Sequence, residues 1–390
     1  MTFQPAQRLL ALPPYLFVEI DRRKRAALAA GKDVIDFGVG DPDLPTHAFI
    51  IERLKTAVDD PAHHRYPLGV GAPRLRRTLA AFFQRRYGVR LDPETEVIAL
   101  IGSKEGLAHL ALAVVNPGRA VLLPEPGYPV YRSGTIFAGG KPHALPLHEQ
   151  RGWLPDLSAV PVEVAREAAL LFLNYPNNPT GAVATRAFFE EAVAFCRRHD
   201  IVLAQDAAYN EMYFDDADRP ASILEIPGAR EVAIELHSAS KTFNMTGWRL
   251  GFAVGNCDVL AALARLKSNL DSGVFTAIQE AGCAAYDGFD RPELARARAT
   301  YRERAIALAD GLRQFGFRVA PPRATFYVWA GVPWGYDSMS LATRLLDEAA
   351  IVCAPGIGFG RLGEGYVRFA MTVPLERVRM ALARMRELKW

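Results

Sequence analysis

From about residue 46 to residue 282 the chain alternates short apolar runs with longer stretches of helical period. The runs at 97–101, 120–123, 169–173, 201–205 and 232–236 predict strands, each nearly all apolar and so buried on both faces. Helices fit between them, for instance at 107–115 and 188–199. Strand–helix alternation builds a mostly parallel sheet wrapped by helices. In such sheets ligands lie beyond the carboxyl ends of the strands, so chemistry is expected just after each run. Ahead of this region, 16–30 has helical character and stops at Gly31, a plausible cap. A Gly- and Pro-rich loop follows at 38–45, whose backbone can approach a ligand closely. After about Cys283 the pattern changes to a long helix at 291–314, strands at 326–329 and 367–371, and helices at 340–350 and 375–388. This reads as a smaller α+β domain completed by the N-terminal segment. The expected division is 1–45 (N-terminal arm and part of the small domain), 46–282 (large domain) and 283–390 (small domain).

The five strand ends deliver polar or aromatic groups to one rim. They are Gly102-Ser103-Lys104-Glu105-Gly106, then Pro126-Gly127-Tyr128-Pro129, then 174–181, then Asp206 and Tyr209, then Ser238, Ser240 and Lys241. The last belongs to the run Ser238-Ala239-Ser240-Lys241-Thr242-Phe243-Asn244-Met245-Thr246-Gly247-Trp248-Arg249. A lysine amine bonds to aldehydes, and an arginine fork clamps phosphate. Pyridoxal phosphate carries both groups. A lone lysine is more often a solvated surface residue; the other strand ends argue against that here. Ser103 and Lys104 open a helix, whose free N–H groups and dipole favour a phosphate dianion.

Composition narrows the classes further. The chain has 390 residues, half of them hydrophobic, enough for a large core and two domains. Lys and Arg number 46 against 43 Asp and Glu, for a net charge of +3, too balanced to argue for nucleic acid. Cys196, Cys257, Cys283 and Cys353 are far apart and show no metal-ligand spacing, which fits free thiols in a reducing cytosol. Residues 1–12 lack the pattern of a signal peptide, and no run approaches a membrane span. A cytoplasmic protein with no nucleic-acid or membrane partner is expected.

Together, segments 35–46, 102–106, 174–181, 238–249 and 267–273 resemble the class I/II aminotransferases of the aspartate aminotransferase fold, pyridoxal-phosphate fold type I. The similarity covers nearly the whole chain. Within the superfamily it is strongest to the branch that acts on LL-diaminopimelate in lysine biosynthesis. The resemblance implies that Lys241 anchors the cofactor and shuttles a proton, and that Asp206 faces the ring nitrogen and keeps it protonated. From the residue alone, Asp206 also reads as a helix cap. Tyr209 and Asn178 are implied to contact the ring oxygen, although Asn178 also reads as a turn residue. Ser103, Lys104, Ser238, Ser240 and Arg249 would hold the phosphate, joined by Tyr66 from a neighbouring subunit, which implies a homodimer with shared active sites. Tyr128 would lie flat on the ring; a core or surface tyrosine is the plainer reading. Arg368, in a strand-like run, would grip the substrate α-carboxylate, or else form a buried structural ion pair. Gly40 would offer backbone to the same carboxylate. Tyr15 and Asn269 would line the substrate pocket, which Lys104, Tyr128 and Asn178 also border. No metal is implied.

One position departs from the pattern. The diaminopimelate branch carries a glutamate shortly after the phosphate-binding tyrosine, in a Tyr-Glu-Gly sequence, to recognise the distal amino group. This chain reads Tyr66-Pro67-Leu68-Gly69-Val70-Gly71. A valine cannot pair with an ammonium, so donors of aspartate, aromatic or N-succinyl-diaminopimelate type stay open, with 2-oxoglutarate as acceptor. The same scaffold also hosts β-eliminating lyases, which need no keto-acid acceptor. A transcription regulator built on this domain needs a DNA-binding module, and too few residues precede Gly31 for one.

Overall fold

The computed structural model describes residues 3–12 and 17–390. Tyr15 lies outside them. Thirteen strands appear in chain order: β1 (Ile35–Asp36), β2 (Val97–Leu100), β3 (Ala120–Glu125), β4 (Lys141–Pro146), β5 (Ala168–Asn174), β6 (Val202–Asp206), β7 (Ala233–Ser238), β8 (Gly251–Gly255), β9 (Arg318–Val319), β10 (Tyr327–Gly331), β11 (Ile351–Val352), β12 (Ala354–Pro355) and β13 (Tyr366–Ala370). Seven of them form one sheet in the order β2-β8-β7-β6-β5-β3-β4. Only β8 runs against the others, pairing antiparallel with both β2 and β7. The expected α/β architecture, with its mostly parallel sheet, is what the chain adopts.

Alternate residues of the central strands enter two different cores. Val97 and Ala99 join Leu171, Leu203 and Phe252 on one face. Ile98 and Leu100 join Leu170, Phe172 and Ala204 on the other. Both faces are therefore covered, which is why most of these runs carry no polar alternation; in β7, Glu235 and His237 alternate with Ile234 and Leu236 but are buried as well. Fully buried Phe172 and Phe252 each contribute roughly 1.5–3 kcal/mol of transfer free energy. Helix Ser103–Val114 covers one face with Leu107 and Leu110, and helix Arg186–His199 covers the other with Phe188, Phe189 and Val193. The latter helix starts on a Thr185 cap, whose hydroxyl accepts from the Phe188 N–H at 3.2 Å, and ends at Asp200 in the left-handed region.

A third core gathers the rest. The antiparallel sheet β12-β13-β10-β9 packs with helices Pro292–Arg313, Ser338–Ala349 and Leu375–Arg386. Ile20, Ile35 and Phe37 belong to it, and β1 pairs parallel with β11, Ile35 opposite Ile351. Tyr209 and Met212, which follow β6 of the large sheet, also enter this core. Among the described residues, no helix is long and apolar enough to cross a membrane.

Candidate active site

The reversed direction of β8 creates the first part of the site. Parallel strands place their carboxyl ends on one rim; an antiparallel neighbour brings its amino end there. Gly251, the first residue of β8, is in register with Leu100 at the end of β2 and with Ser238 at the end of β7. Arg249, just before β8, therefore meets the start of helix Ser103–Val114. Gly102 opens that helix at φ +76° with no side-chain cap, and a Cβ there would collide with the Arg249 guanidinium. Arg249 itself sits at φ +57°, a conformation that costs a non-glycine residue about 1 kcal/mol and marks functional backbone. Its Nη1 donates to the Thr246 carbonyl at 2.8 Å, and it pairs with no carboxylate among the described residues. Ser238 and Ser240 lie buried beside it, the Ser240 N–H donating to Ser238 Oγ at 3.2 Å. Uncapped helix N–H groups, buried hydroxyls and a guanidinium without a counter-ion make an anion cradle. Lys104 is exposed at its edge.

Lys241 stands next to this cradle. Its Nζ donates to the Gly40 carbonyl at 2.8 Å and lies 5.5 Å from the centre of the Phe326 ring. Burial pulls its pKa down to about 8; Asp41 opposes that, and Arg368 and Arg249 add to it. A neutral amine is thus available near neutral pH. Asp206 closes β6 and is buried with no cation in contact among the described residues. Burial raises its pKa to about 6, against the Tyr131 hydroxyl, the Ala208 N–H and the charge of His237. Tyr131 donates to Asp206 Oδ2 at 2.7 Å. Tyr209 is buried, its hydroxyl 2.8 Å from that of Tyr327; burial first, and then Tyr327, hold its pKa well above the usual phenol value.

Arg368 lies on β13, opposite Trp329 of β10. Only 7% of it is exposed, yet it has no carboxylate partner among the described residues, so the reading of a structural ion pair fails. Neutral groups hold it instead. Nη1 donates to Asn178 Oδ1 at 2.8 Å and Nη2 to the Gly38 carbonyl at 2.9 Å, while Nε is buried without a partner. The guanidinium centre sits 4.2 Å from the Tyr327 ring centroid and 4.8 Å from that of Phe359. A buried unpaired guanidinium is costly unless an anion completes it. Its anchor continues inward, since the Asn178 N–H donates to Asn174 Oδ1 and Asn174 Nδ2 donates to the Asp206 carbonyl, each at 2.8 Å. One chain of hydrogen bonds so links the guanidinium to the backbone of the buried acid. Gly40 has no alternative, because a Cβ there would collide with the Tyr327 hydroxyl.

The remaining residues sit further out. Tyr128 is half-buried, edge-on to Tyr131 with ring centroids 5.9 Å apart. Tyr66 is 91% exposed and makes no hydrogen bond among the described residues. Asn269 is exposed, its amide bonded to the Arg265 carbonyl and Ser268 Oγ. The Val70 carbonyl accepts from the Ala99 N–H, and its side chain is partly exposed. Neither Tyr66 nor Asn269 bonds to the cleft. Tyr131, Asn174 and Tyr327 belong to the site and carry no local sequence signal of it. Tyr131 lies one turn after Tyr128, a spacing shared by countless core tyrosines.

A lysine just past β7, a buried acid at the end of the neighbouring β6, an anion cradle and an unpaired guanidinium define one cleft, and comparison with known proteins gives it a class. Residues 32–385 match the aminotransferase class I and II family, and the chain belongs to it. Over its full length it is 55% identical to an LL-diaminopimelate aminotransferase of Syntrophobacter fumaroxidans, all of which is covered. Among solved structures, substrate-bound BacF from Bacillus subtilis superposes with a TM-score of 0.94 at 38% identity, covering 99% of this chain and 98% of that one. A probable N-succinyldiaminopimelate aminotransferase from Thermus thermophilus superposes with a TM-score of 0.90 at 40% identity, covering 95% and 99%. The chain is an aminotransferase of the aspartate aminotransferase-like fold.

Proposed function

We propose that this enzyme uses pyridoxal phosphate to transfer an amino group between an L-amino acid and 2-oxoglutarate, with LL-diaminopimelate as the amino acid. The residues fit that cofactor. Asp206 is a buried acid with no cation in contact among the described residues, complementary to a protonated ring nitrogen, and the cradle of Ser103, Lys104, Ser238, Ser240 and Arg249 would be complemented by a phosphate dianion. When bound, the cofactor provides an aldehyde that accepts the amino group and a ring that stores electron density. Lys241 anchors it and moves a proton at the substrate Cα. Asp206 holds a proton at the ring nitrogen, while Tyr209 and Asn178 orient the ring oxygen and Tyr128 covers a ring face. The observation that carries the reading is Arg368, buried and unpaired in the same cleft as Lys241, where a bidentate α-carboxylate would complete it. Gly40 adds backbone to that carboxylate.

Tyr66, Leu68, Leu270 and Phe275 are exposed apolar residues, and the loops that bear them touch: a Cβ at Gly273 would lie 3.0 Å from the Leu68 carbonyl. That surface supports a homodimer in which Tyr66 completes the neighbouring site. Four free cysteines support a reducing, cytoplasmic setting.

Val70 favours a second reading, a donor without a distal ammonium. A panel of L-amino acids against 2-oxoglutarate tests both. Turnover of LL-diaminopimelate at least tenfold above other donors supports the first; its absence, with activity on another donor, supports the second. Under the second reading Val70→Glu raises relative activity on LL-diaminopimelate about tenfold or more, as a new charge-assisted pair allows.

A further inference from the structure

We propose that the chain carries a second anion site, separate from the cleft, that takes a small multivalent oxyanion of the phosphate or polycarboxylate kind. A cavity of about 260 Å³ lies between the end of helix Pro73–Tyr87 and the head of helix Pro292–Arg313. That is several times the roughly 30 Å³ a water occupies. Its walls carry Arg85, Arg86, Arg219, Arg291 and Arg298 against a single acid, Asp290. None of the cleft residues lines it.

Among the described residues, four of the five charges are not neutralised from within. Arg86 pairs with Glu211 through Nε at 3.1 Å, and its side chain is 6% exposed, but its Nη2 is buried with no partner. The other four arginines make no ion pair with any described residue. Arg85 Nη2 donates to the Tyr286 carbonyl at 2.9 Å, and Arg219 Nη2 to the Arg86 carbonyl at 3.0 Å. The Arg291 guanidinium lies 4.5 Å over the Phe49 ring, and that of Arg298 lies 5.0 Å over Tyr213. Carbonyls and aromatic faces fix the orientation of these groups without cancelling their charge. Helix Pro292–Arg313 also starts at the same mouth without a side-chain cap, so the positive end of its dipole lies there, beside Glu293 of its first turn.

Planar forks converging from several elements match an oxyanion with more than one charged face. Chloride offers no such geometry. Because Phe82 and Leu294 of the wall belong to the core of the large sheet, while helix Pro292–Arg313 runs on into the third core, a bound anion would tie the two together. Ligand that binds only the folded state raises its stability by mass action.

The test uses the holoenzyme, so that the cofactor's phosphate cradle is already filled. Thermal unfolding is followed with inorganic phosphate and, separately, citrate, each against sodium chloride at matched ionic strength. The expected result is a rise in Tm of about 2 °C or more with at least one of them. Phosphate alone giving the shift assigns the site to phosphates; citrate alone assigns it to polycarboxylates. Arg298→Ala and the exposed Arg219→Ala each weaken the apparent affinity about tenfold. If Arg298→Ala does not fold, Arg219→Ala alone decides. Equal shifts in wild type and Arg219→Ala, or no shift beyond that of chloride, would overturn the proposal.

Discussion

The rim around Lys241 and the loop around Tyr66 differ in completeness. At the rim, Asp206, Ser238, Ser240 and Arg368 are all at least nine-tenths buried, and strand register fixes Asp206, Ser238 and Arg368. On the loop, Tyr66 and Leu68 face solvent, and Val70 stands where the resemblance implies an acid. Groups that perform the shared chemistry of the family are held by a sheet. Those that would choose the substrate stand on a surface that one chain leaves open. Loops tolerate such change because few packed contacts depend on them.

Breaking the rim should have the largest effect. Lys241→Ala is expected to remove at least about 10³-fold of transamination, the scale of a lost acid–base group. Borohydride reduction of the wild type should fix the cofactor to the peptide holding residue 241. In the wild type that attachment should speed up as pH rises through about 8, where the lowered pKa frees the amine. Near-normal turnover by the alanine variant would sink the assignment.

Arg368→Lys is expected to lower kcat/KM by about 10²-fold, since an ammonium cannot replace a bidentate fork held by Asn178 and Gly38. Uniform loss for all donors and acceptors carrying an α-carboxylate is the signature. An effect confined to one substrate would move Arg368 to the distal end of the site.

The loop is broken by mixing. Tyr66→Ala homodimers should have impaired turnover, and Lys241→Ala homodimers none. Heterodimers of the two would restore one intact site, for roughly a quarter of full activity after random exchange. Activity no higher than that of the parent variants would show that Tyr66 serves its own chain's site or none.

The mildest change tests the interior. Tyr131→Phe removes the only side-chain hydrogen bond to Asp206 among the described residues, a bond that lowers that acid's pKa. Its loss should raise the pKa above about 6 and move the acidic limb of the kcat profile upward, with about tenfold loss of activity at pH 6 and much less at pH 8. A pH-independent loss would mean that Tyr131 only packs.

Much of this was legible in the amino-acid order. All five predicted strands of the large sheet occur, because runs buried on both faces are nearly all apolar, Gln205 and Glu235 being the exceptions. Lys141–Pro146 escaped notice because it is an edge strand with a partly exposed, mixed sequence. Gly251–Gly255 did so because two of its five residues are glycine. Asp206 and Lys241 stand at strand ends, where a general rule looks for ligands. Tyr131, Asn174 and Tyr327 act through contacts between distant segments, such as the 75-residue separation of Tyr131 and Asp206, which no local pattern records. The arginine-lined cavity is equally silent, since its charges come from three distant stretches of chain.

The strand that runs the wrong way has a consequence for how the enzyme can vary. Because β8 returns directly beside β7, the single connection 239–250 carries both the amine and the guanidinium. An insertion or deletion there displaces the Lys241 amine relative to the Arg249 guanidinium. Length in that hairpin should therefore be the least negotiable dimension of the whole chain, whatever substrate its descendants come to accept.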